Sequence, residues 1–179
     1  MILIKKKRTK KLISIITVTK NSEKTLQRCI LSVANQNFKN YEHIIIDGDS
    51  DDKTLEIIKK NSKFISYAIS KKDKNLWEAM NRGIKLARGE IIGILNSDDI
   101  YYANALLTVQ KYFKKKKIDC LFGAVKKKKI FHNFYPEKIS YKFNIYPSHS
   151  VGFFVKKKIH KIIGYYNEEL KYMADYDFI

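Results

Sequence analysis

The chain has 179 residues, with 36 lysines and arginines against 18 aspartates and glutamates, for a formal net charge of +18. An apolar content of 45% suits one globular domain with a sizeable core, expected to cover residues 1–179. All apolar runs fall far short of the ~20 residues a bilayer span needs, and Met1-Ile2-Leu3-Ile4 is too brief for the core of a signal peptide, so the chain is expected in the cytoplasm.

In chain order, the β-branched run Leu12 to Val18 predicts a strand buried on both faces. A helix follows, capped by Asn21 or Ser22, with Leu26, Cys29, Ile30, Val33 and Ala34 on one face. His43 to Asp47 predicts a second strand, followed by an acidic turn, a short helix through Leu55, Ile57 and Ile58, and a strand from Phe64 to Ile69. The helix Asn75 to Arg88 is expected to bury Leu76, Met80, Ile84 and Ala87 and to end at Gly89. Trp77 falls in the same register, which favours burial over stacking on a ligand. With strand Ile91 to Leu95, strand and helix alternate, predicting a mainly parallel α/β sheet with right-handed crossovers. The remainder is less regular: a helix from Asn104 to Lys115, strands at Cys120 to Val125, Ile130 to Tyr135 and Val151 to Val155, and a short helix Lys156 to Ile163 ended by Gly164.

Cys29 and Cys120 lack metal-ligand spacing and read as reduced core thiols. The basic excess is mostly lysine, in runs such as Lys114 to Lys117, Lys126 to Lys129 and Lys156-Lys157-Lys158. Sequence-specific nucleic-acid readers favour the planar fork of arginine, so specific nucleic-acid binding is not expected. A lysine-rich surface suits anionic lipid headgroups, and peripheral contact with the inner face of the plasma membrane is an expectation, beside the alternative of a merely solvated surface.

Acidic residues gather after the apolar runs. Asp98 and Asp99 follow Ile91 to Leu95; Asp47, Asp49, Asp51 and Asp52 follow Ile44-Ile45-Ile46; Asp175 and Asp177 close the chain. Ligands of open α/β sheets bind outside the carboxyl ends of the strands. Like charges crowded there cost energy unless a cation offsets them. Two other readings stay open: Asp98 and Asp99 as caps of the next helix, and Asp47 as a turn aspartate bonding its own backbone.

The segments Ile13 to Asn21, Ser32 to Gln36, Ile45 to Thr54, Asp73 to Ile84, Ala87 to Glu90, Asn96 to Asp99 and Ala174 to Asp177 resemble, in order and spacing, family 2 glycosyltransferases. The resemblance implies a GT-A fold, with a nucleotide-binding half at about residues 12–99 and an acceptor-side half at about 100–179. It implies transfer of a sugar from a UDP- or GDP-linked donor to a hydroxyl of a glycan or lipid-linked acceptor in cell-surface glycan synthesis, with inversion and a divalent cation, Mn²⁺ or Mg²⁺. By the same resemblance Thr17 and Thr19 would lie beside the nucleotide and Asp47 would hydrogen-bond the base. Asp73 would sit near the sugar nucleotide, Ser97-Asp98-Asp99 would be the DXD-type motif with Asp98 near the ribose and Asp99 on the metal, and Asp175 would be the catalytic base. His149 would contact the diphosphate or acceptor, with a loop histidine as the plain alternative.

The sequence departs from the family in two places. Asp49 stands where relatives have glycine, and aspartate tolerates a positive φ better than most residues. Relatives also continue past the Asp-Tyr-Asp segment, so a chain ending at Ile179 is expected to be a shortened product. Competing expectations are therefore a catalytically inactive nucleotide-sugar-binding remnant and a basic membrane or nucleic-acid binding module. Glycine signatures of dinucleotide folds and phosphate-binding loops are absent, which disfavours dehydrogenases and NTPases.

Overall fold

In the computed structural model, which describes residues 1–7, 9–126, 130–131, 150–170 and 178, the run Ile13–Thr19 forms strand β2 and is buried along its whole length. Strand β3 (Tyr41–Asp47) pairs with it in parallel, from Ile13 opposite Tyr41 to Thr19 opposite Asp47, so the two strands end level. Two further strands extend the parallel core, β4 (Tyr67–Ser70) beside β3 and β5 (Ile91–Ile94) beside β2. Ile13, Ile15, Ile16, Ile44, Ile45 and Ile46 are fully buried, each worth about 1.5–3 kcal/mol of transfer free energy.

Antiparallel strands complete both edges. The four-residue β1 (Ile2–Lys5) adds to β4, a strand too short to stand out in the sequence. On the other side β6 (Cys120–Phe122) and β9 (Phe153–Lys156) are joined so that β9 lies between β5 and β6, giving the order β1-β4-β3-β2-β5-β9-β6. A separate two-stranded ladder pairs β7 (Val125–Lys126) with β8 (Ile130–Phe131).

Helices cover both faces. On one side α1 (Leu26–Ala34), α2 (Thr54–Lys60) and α4 (Ala105–Lys115) bury Cys29, Val33, Ile58 and Leu106 against Ile13, Ile15 and Ile45. On the other, α3 (Leu76–Leu86) packs Met80 and Ile84 on Ile16, Val18, Ile44 and Ile46, joined by Ile159 of α5 (Lys157–Ile163). None of the described helices is long and apolar enough to cross a membrane.

Several local expectations change. Helix α1 begins at Leu26 with no side-chain cap; the carbonyl of Ser22 accepts from the N–H groups of Thr25 and Leu26. Residues Ser62–Phe64 form a 3-10 turn, which delays β4 to Tyr67. Val151 belongs to another such turn, Ser150–Gly152, and the expected strand at Cys120 to Val125 is split between β6 and β7. Trp77, Met80 and Ile84 share the buried stripe of α3, which turns Leu76 outward to 48% exposure. Cys120 is exposed while Cys29 is buried, so only Cys29 is a core thiol.

The two expected terminator glycines have different roles. Gly164, at φ 104°, does follow the last residue of α5. Helix α3 instead ends at Leu86, and Gly89 permits a close crossing: a Cβ there would lie 2.5 Å from the Ser14 nitrogen.

Candidate functional site

The level carboxyl ends of β2 and β3 lead into two turns that brace each other. Gly48 donates its N–H to the Thr19 carbonyl (2.9 Å), Asn21 N–H donates to Ser50 Oγ (2.9 Å), and Asp51 N–H donates to Asn21 Oδ1 (3.1 Å). Asn21 and Asp49 adopt positive φ, 48° and 65°, a conformation that asparagine and aspartate tolerate better than most residues. At the centre sits Asp47, fully buried. Its Oδ2 accepts from Asp49 N–H (3.1 Å), Ser50 N–H (3.1 Å) and Ser70 Oγ (2.7 Å), and its Oδ1 accepts from Ser50 Oγ (2.5 Å). These four bonds build the turn, the role of a turn aspartate.

Thr17 is likewise fully buried, its hydroxyl 2.9 Å from Nε2 of His43 beneath α1, so it supports the strand end. Burial lowers the pKa of His43 to about 3, so the ring is neutral. Thr19, two residues on, reaches the surface of a cleft of about 420 Å³ lined by Lys20, Gly48, Asp73, Asn75, Leu76 and Ser97. Its Oγ1 is buried and has no hydrogen-bond partner among the described residues.

Asp73 reaches the cleft from the loop before α3. Its side chain is only 5% exposed, and Arg82 pairs with it at 2.5 Å while also contacting Glu78 at 3.2 Å. Burial raises the Asp73 pKa, and the Arg82 guanidinium counters part of that rise.

The loop after β5 forms the wall between this cleft and a second cavity of about 490 Å³. Ser97 faces the first, whereas Asp98 and Asp99 line the second together with Arg28, Tyr101 and Phe154. Helix α1 anchors the loop: Arg28 Nη2 donates to the Asp98 carbonyl (2.9 Å) and Cys29 Sγ donates to the Asn96 carbonyl (3.5 Å). The Ser22 and Ser97 hydroxyls meet at 2.8 Å. Burial pushes the Cys29 thiol up to about 12, leaving a protonated donor. Asp98 is exposed and Asp99 half-buried, and beside them Asn96 Oδ1 is buried with no partner among the described residues. Among the described residues no three His, Cys, Asp or Glu side chains converge as a metal cage. The local oxygen donors are thus the two carboxylates and the neighbouring Asn96 amide.

Asn75 and Asn81 were not singled out in the sequence, because their partners lie 85 or more residues away. Asn75 caps α3 by accepting from Glu78 N–H, and its Nδ2 donates to the Glu168 carbonyl (2.7 Å). Asn81, 2% exposed, donates to the Tyr166 carbonyl and to Glu168 Oε1 (both 2.8 Å) and accepts from Tyr166 N–H (3.0 Å). The helix bordering the cleft thus grips the segment that leads toward Asp175. Asp175 and His149 lie outside the described residues.

Comparison with known proteins places this geometry. A family model described as Glycosyl transferase family 2 matches residues 14–169. A glycosyltransferase of Methanocaldococcus jannaschii, MJ1057, is 32% identical over 94% of this chain and 63% of its own length. Poly(ribitol-phosphate) beta-N-acetylglucosaminyltransferase TarP of Staphylococcus aureus is 36% identical over 63% of the chain and 36% of its own length. UDP-Glc:alpha-D-GlcNAc-diphosphoundecaprenol beta-1,3-glucosyltransferase WfgD of Escherichia coli is 32% identical over 73% and 53%. The chain therefore spans between 36% and 63% of the length of these three relatives. Among solved structures, S. aureus TarS 1-349 in complex with UDP-GlcNAc superposes with a TM-score of 0.77 at 23% identity, over 93% of this chain and 52% of that one. The fold is that of the GT-A glycosyltransferases, and the chain belongs to glycosyl transferase family 2.

Proposed function

We propose that the chain transfers a sugar from a nucleotide-diphosphate donor to a hydroxyl acceptor, with inversion and a divalent cation, in the synthesis of a cell-surface glycan. The observation that carries the reading is the convergence of Thr19, Gly48, Asp73 and Ser97 on one cleft at the carboxyl ends of the parallel strands, with Asp98 and Asp99 lining the adjoining cavity on the same loop. TarP and WfgD, named for sugar transfer, support the reaction class, and WfgD is named for a UDP-linked donor and a diphosphoundecaprenol-linked acceptor.

The donor occupies the cleft of about 420 Å³. The unpartnered Thr19 hydroxyl and the backbone around Gly48 hold the nucleoside, and Lys20 and Lys74 offset the diphosphate charge. Thr17 and Asp47 hold the strand end and the turn beneath it. Asp73 lies toward the sugar, and Ser97 and Asp98 toward the ribose.

Asp99, with Asp98 and the unpartnered side-chain Oδ1 of Asn96 close by, is an all-oxygen donor set that fits a hard cation, since Mg²⁺ is commonly held by one or two carboxylates plus substrate phosphates. The solved mannosyltransferase PcManGT of Pyrobaculum calidifontis, a fold neighbour at TM-score 0.70 and 14% identity over 89% of this chain and 48% of its own, holds GDP-Man and Mn²⁺. Bound here, Mn²⁺ or Mg²⁺ would supply Lewis-acid stabilisation of the charge on the departing diphosphate.

The acceptor enters over the second cavity, whose walls come mostly from residues 100–154. Asp175 accepts the proton of the acceptor hydroxyl as that oxygen bonds to the anomeric carbon. The nucleoside diphosphate leaves from the opposite face, so one displacement inverts the centre. Asn75 and Asn81 keep residues 166–168 against α3 and so hold the approach to that base. His149 contacts the diphosphate or the acceptor. The lysine-rich surface brings the chain to the anionic inner face of the membrane.

The test is titration of the chain with UDP- and GDP-sugars with Mn²⁺ and with EDTA, followed by donor turnover. Metal-dependent binding of one nucleotide class is expected. Absence of any metal-dependent nucleotide binding overturns the reading, and binding without turnover on any hydroxyl acceptor converts it to that of a nucleotide-sugar-binding remnant.

A further inference from the structure

A cavity of about 730 Å³ opens at the amino end of the sheet, where Leu12 precedes β2 and Ile91 starts β5. At ~3.3 Å per residue, the length of β2 sets it roughly 20 Å from the donor cleft. Leu12, Ile91 and Phe113 give it apolar walls, while Lys114 of α4, Lys156 at the end of β9, and Lys157, Lys158 and Lys161 of α5 ring it. The carboxylate in the lining, Glu90, is paired with Lys10 at 3.0 Å, and Asp119 is shared by Lys156 (3.1 Å) and Lys158 (2.8 Å). The charge is therefore positive in excess.

The same two helices carry apolar side chains into solvent: Ile162 is 71% exposed and Ile163 56% on α5, and Tyr112 is 49% exposed on α4. Lysines next to exposed isoleucines match an amphiphile that is anionic at its head and apolar behind it. A soluble phosphate would use the lysines and leave the isoleucines without a role. Lysine stems can also lie along the apolar walls with their ammonium groups at the headgroup level.

We propose that this face docks on an anionic lipid bilayer, with Lys114, Lys158 and Lys161 meeting headgroup phosphates and Ile162 and Ile163 entering the acyl boundary. The proposal rests on the reading that the chain works at an anionic membrane, and it names the face used. Docked this way, the chain turns its amino-end face to the lipid and keeps the donor cleft about 20 Å farther out, in the aqueous phase.

The experiment is co-sedimentation of the full chain with vesicles of phosphatidylcholine alone and with added phosphatidylglycerol. Binding is expected only to the anionic vesicles and is expected to weaken with salt. Combined K114Q, K158Q and K161Q should lower the affinity about a hundredfold, at about fivefold per lysine, whereas a charge-matched K24Q, K53Q and K60Q variant on the α1–α2 side should bind nearly as wild type. The pair I162S and I163S, which keeps every charge, should also weaken binding.

No binding of the wild type to anionic vesicles overturns the membrane reading itself. Equal losses in the two lysine variants, or no loss with the isoleucine pair, overturn this face while leaving the membrane reading in place. Release of the chain by millimolar glycerol phosphate, or a dimer in sedimentation that I162S and I163S dissolve, also overturns it, in favour of a soluble phosphate or a second copy of the chain.

Discussion

Glu42 and Asp47 stand near opposite ends of β3, and both are buried carboxylates. Glu42 Oε1 accepts from Ser14 Oγ (2.7 Å) and Arg88 N–H (2.6 Å), and Ser14 Oγ in turn accepts from Gly89 N–H (2.8 Å). Asp47 accepts from two backbone N–H groups and two serine hydroxyls. Each therefore works as a bracket that ties a loop to a strand end. The ends differ in what surrounds the bracket. At the amino end the neighbouring serine and glycine are satisfied within the chain, while at the carboxyl end Thr19 Oγ1 and Asn96 Oδ1 are buried without partners among the described residues. Unsatisfied buried polar atoms are few in native proteins and call for an explanation. In the proposed function these two oxygens are the ones left to meet the donor and the cation.

The comparison breaks most visibly if Asp47 is not a bracket. D47A strands several buried donors and should cost about 3–5 kcal/mol in urea-monitored unfolding, against about 1–3 kcal/mol for E42Q, which keeps the shape of its side chain. A small loss in D47A, with nucleotide binding abolished, would instead return this residue to the base-binding role that the family resemblance implied. Next in size, D99N should lower donor turnover about a hundredfold or more in Mn²⁺ while leaving the unfolding midpoint almost unchanged, because Asp99 is half-buried and placed on the cavity wall.

Two buried histidines among the described residues sharpen the picture through pH. His43 and His160 have pKa values lowered by burial to about 3 and about 4, below the unfolded value of 6.5. Between those limits the unfolded chain binds more protons, so the stability present above pH 6.5 is lost as the pH falls. The slope reaches about 1.4 kcal/mol per pH unit for each histidine, and H43Q should remove about half of it in unfolding curves recorded from pH 7 to pH 5. The smallest effect is expected from T19V, which deletes an unpartnered hydroxyl at nearly constant volume. Stability should stay within about 1 kcal/mol of wild type or rise, while nucleotide affinity falls several-fold.

How far the sequence could be read depends on the distance over which each feature is determined. Ile-Ser-Ile-Ile-Thr-Val-Thr and Ile44-Ile45-Ile46 carry their own β-branched, doubly buried signature, and the stripe Leu26, Cys29, Ile30, Val33 repeats at helical spacing, so the parallel core was legible. The four-residue β1 owes its place to β4, more than sixty positions on, and was not. Acidic residues at the strand ends were legible as a group, but their division of labour was not. Asp47 is claimed in part by Ser70 and Thr17 by His43, partners in other elements that no local spacing announces. The Asn81 grip on Tyr166 and Glu168 is equally distant. Leu76 was misread because α3 presents Trp77 to the core, and rotating the helix to bury that larger ring leaves its neighbour at the cleft.

The placement of β9 between β5 and β6 bears on how the molecule is made. As the polypeptide leaves the ribosome, Ile91–Ile94 can pair with β2 at once, yet its outer edge finds a partner only when Phe154 and Val155 have emerged. Until then a bare, isoleucine-rich ribbon edge is presented to the cell, the kind of template on which nascent chains clump. The late strand is thus the closing stitch of the sheet, and growth temperature or translation speed should set the yield of folded protein through that one step.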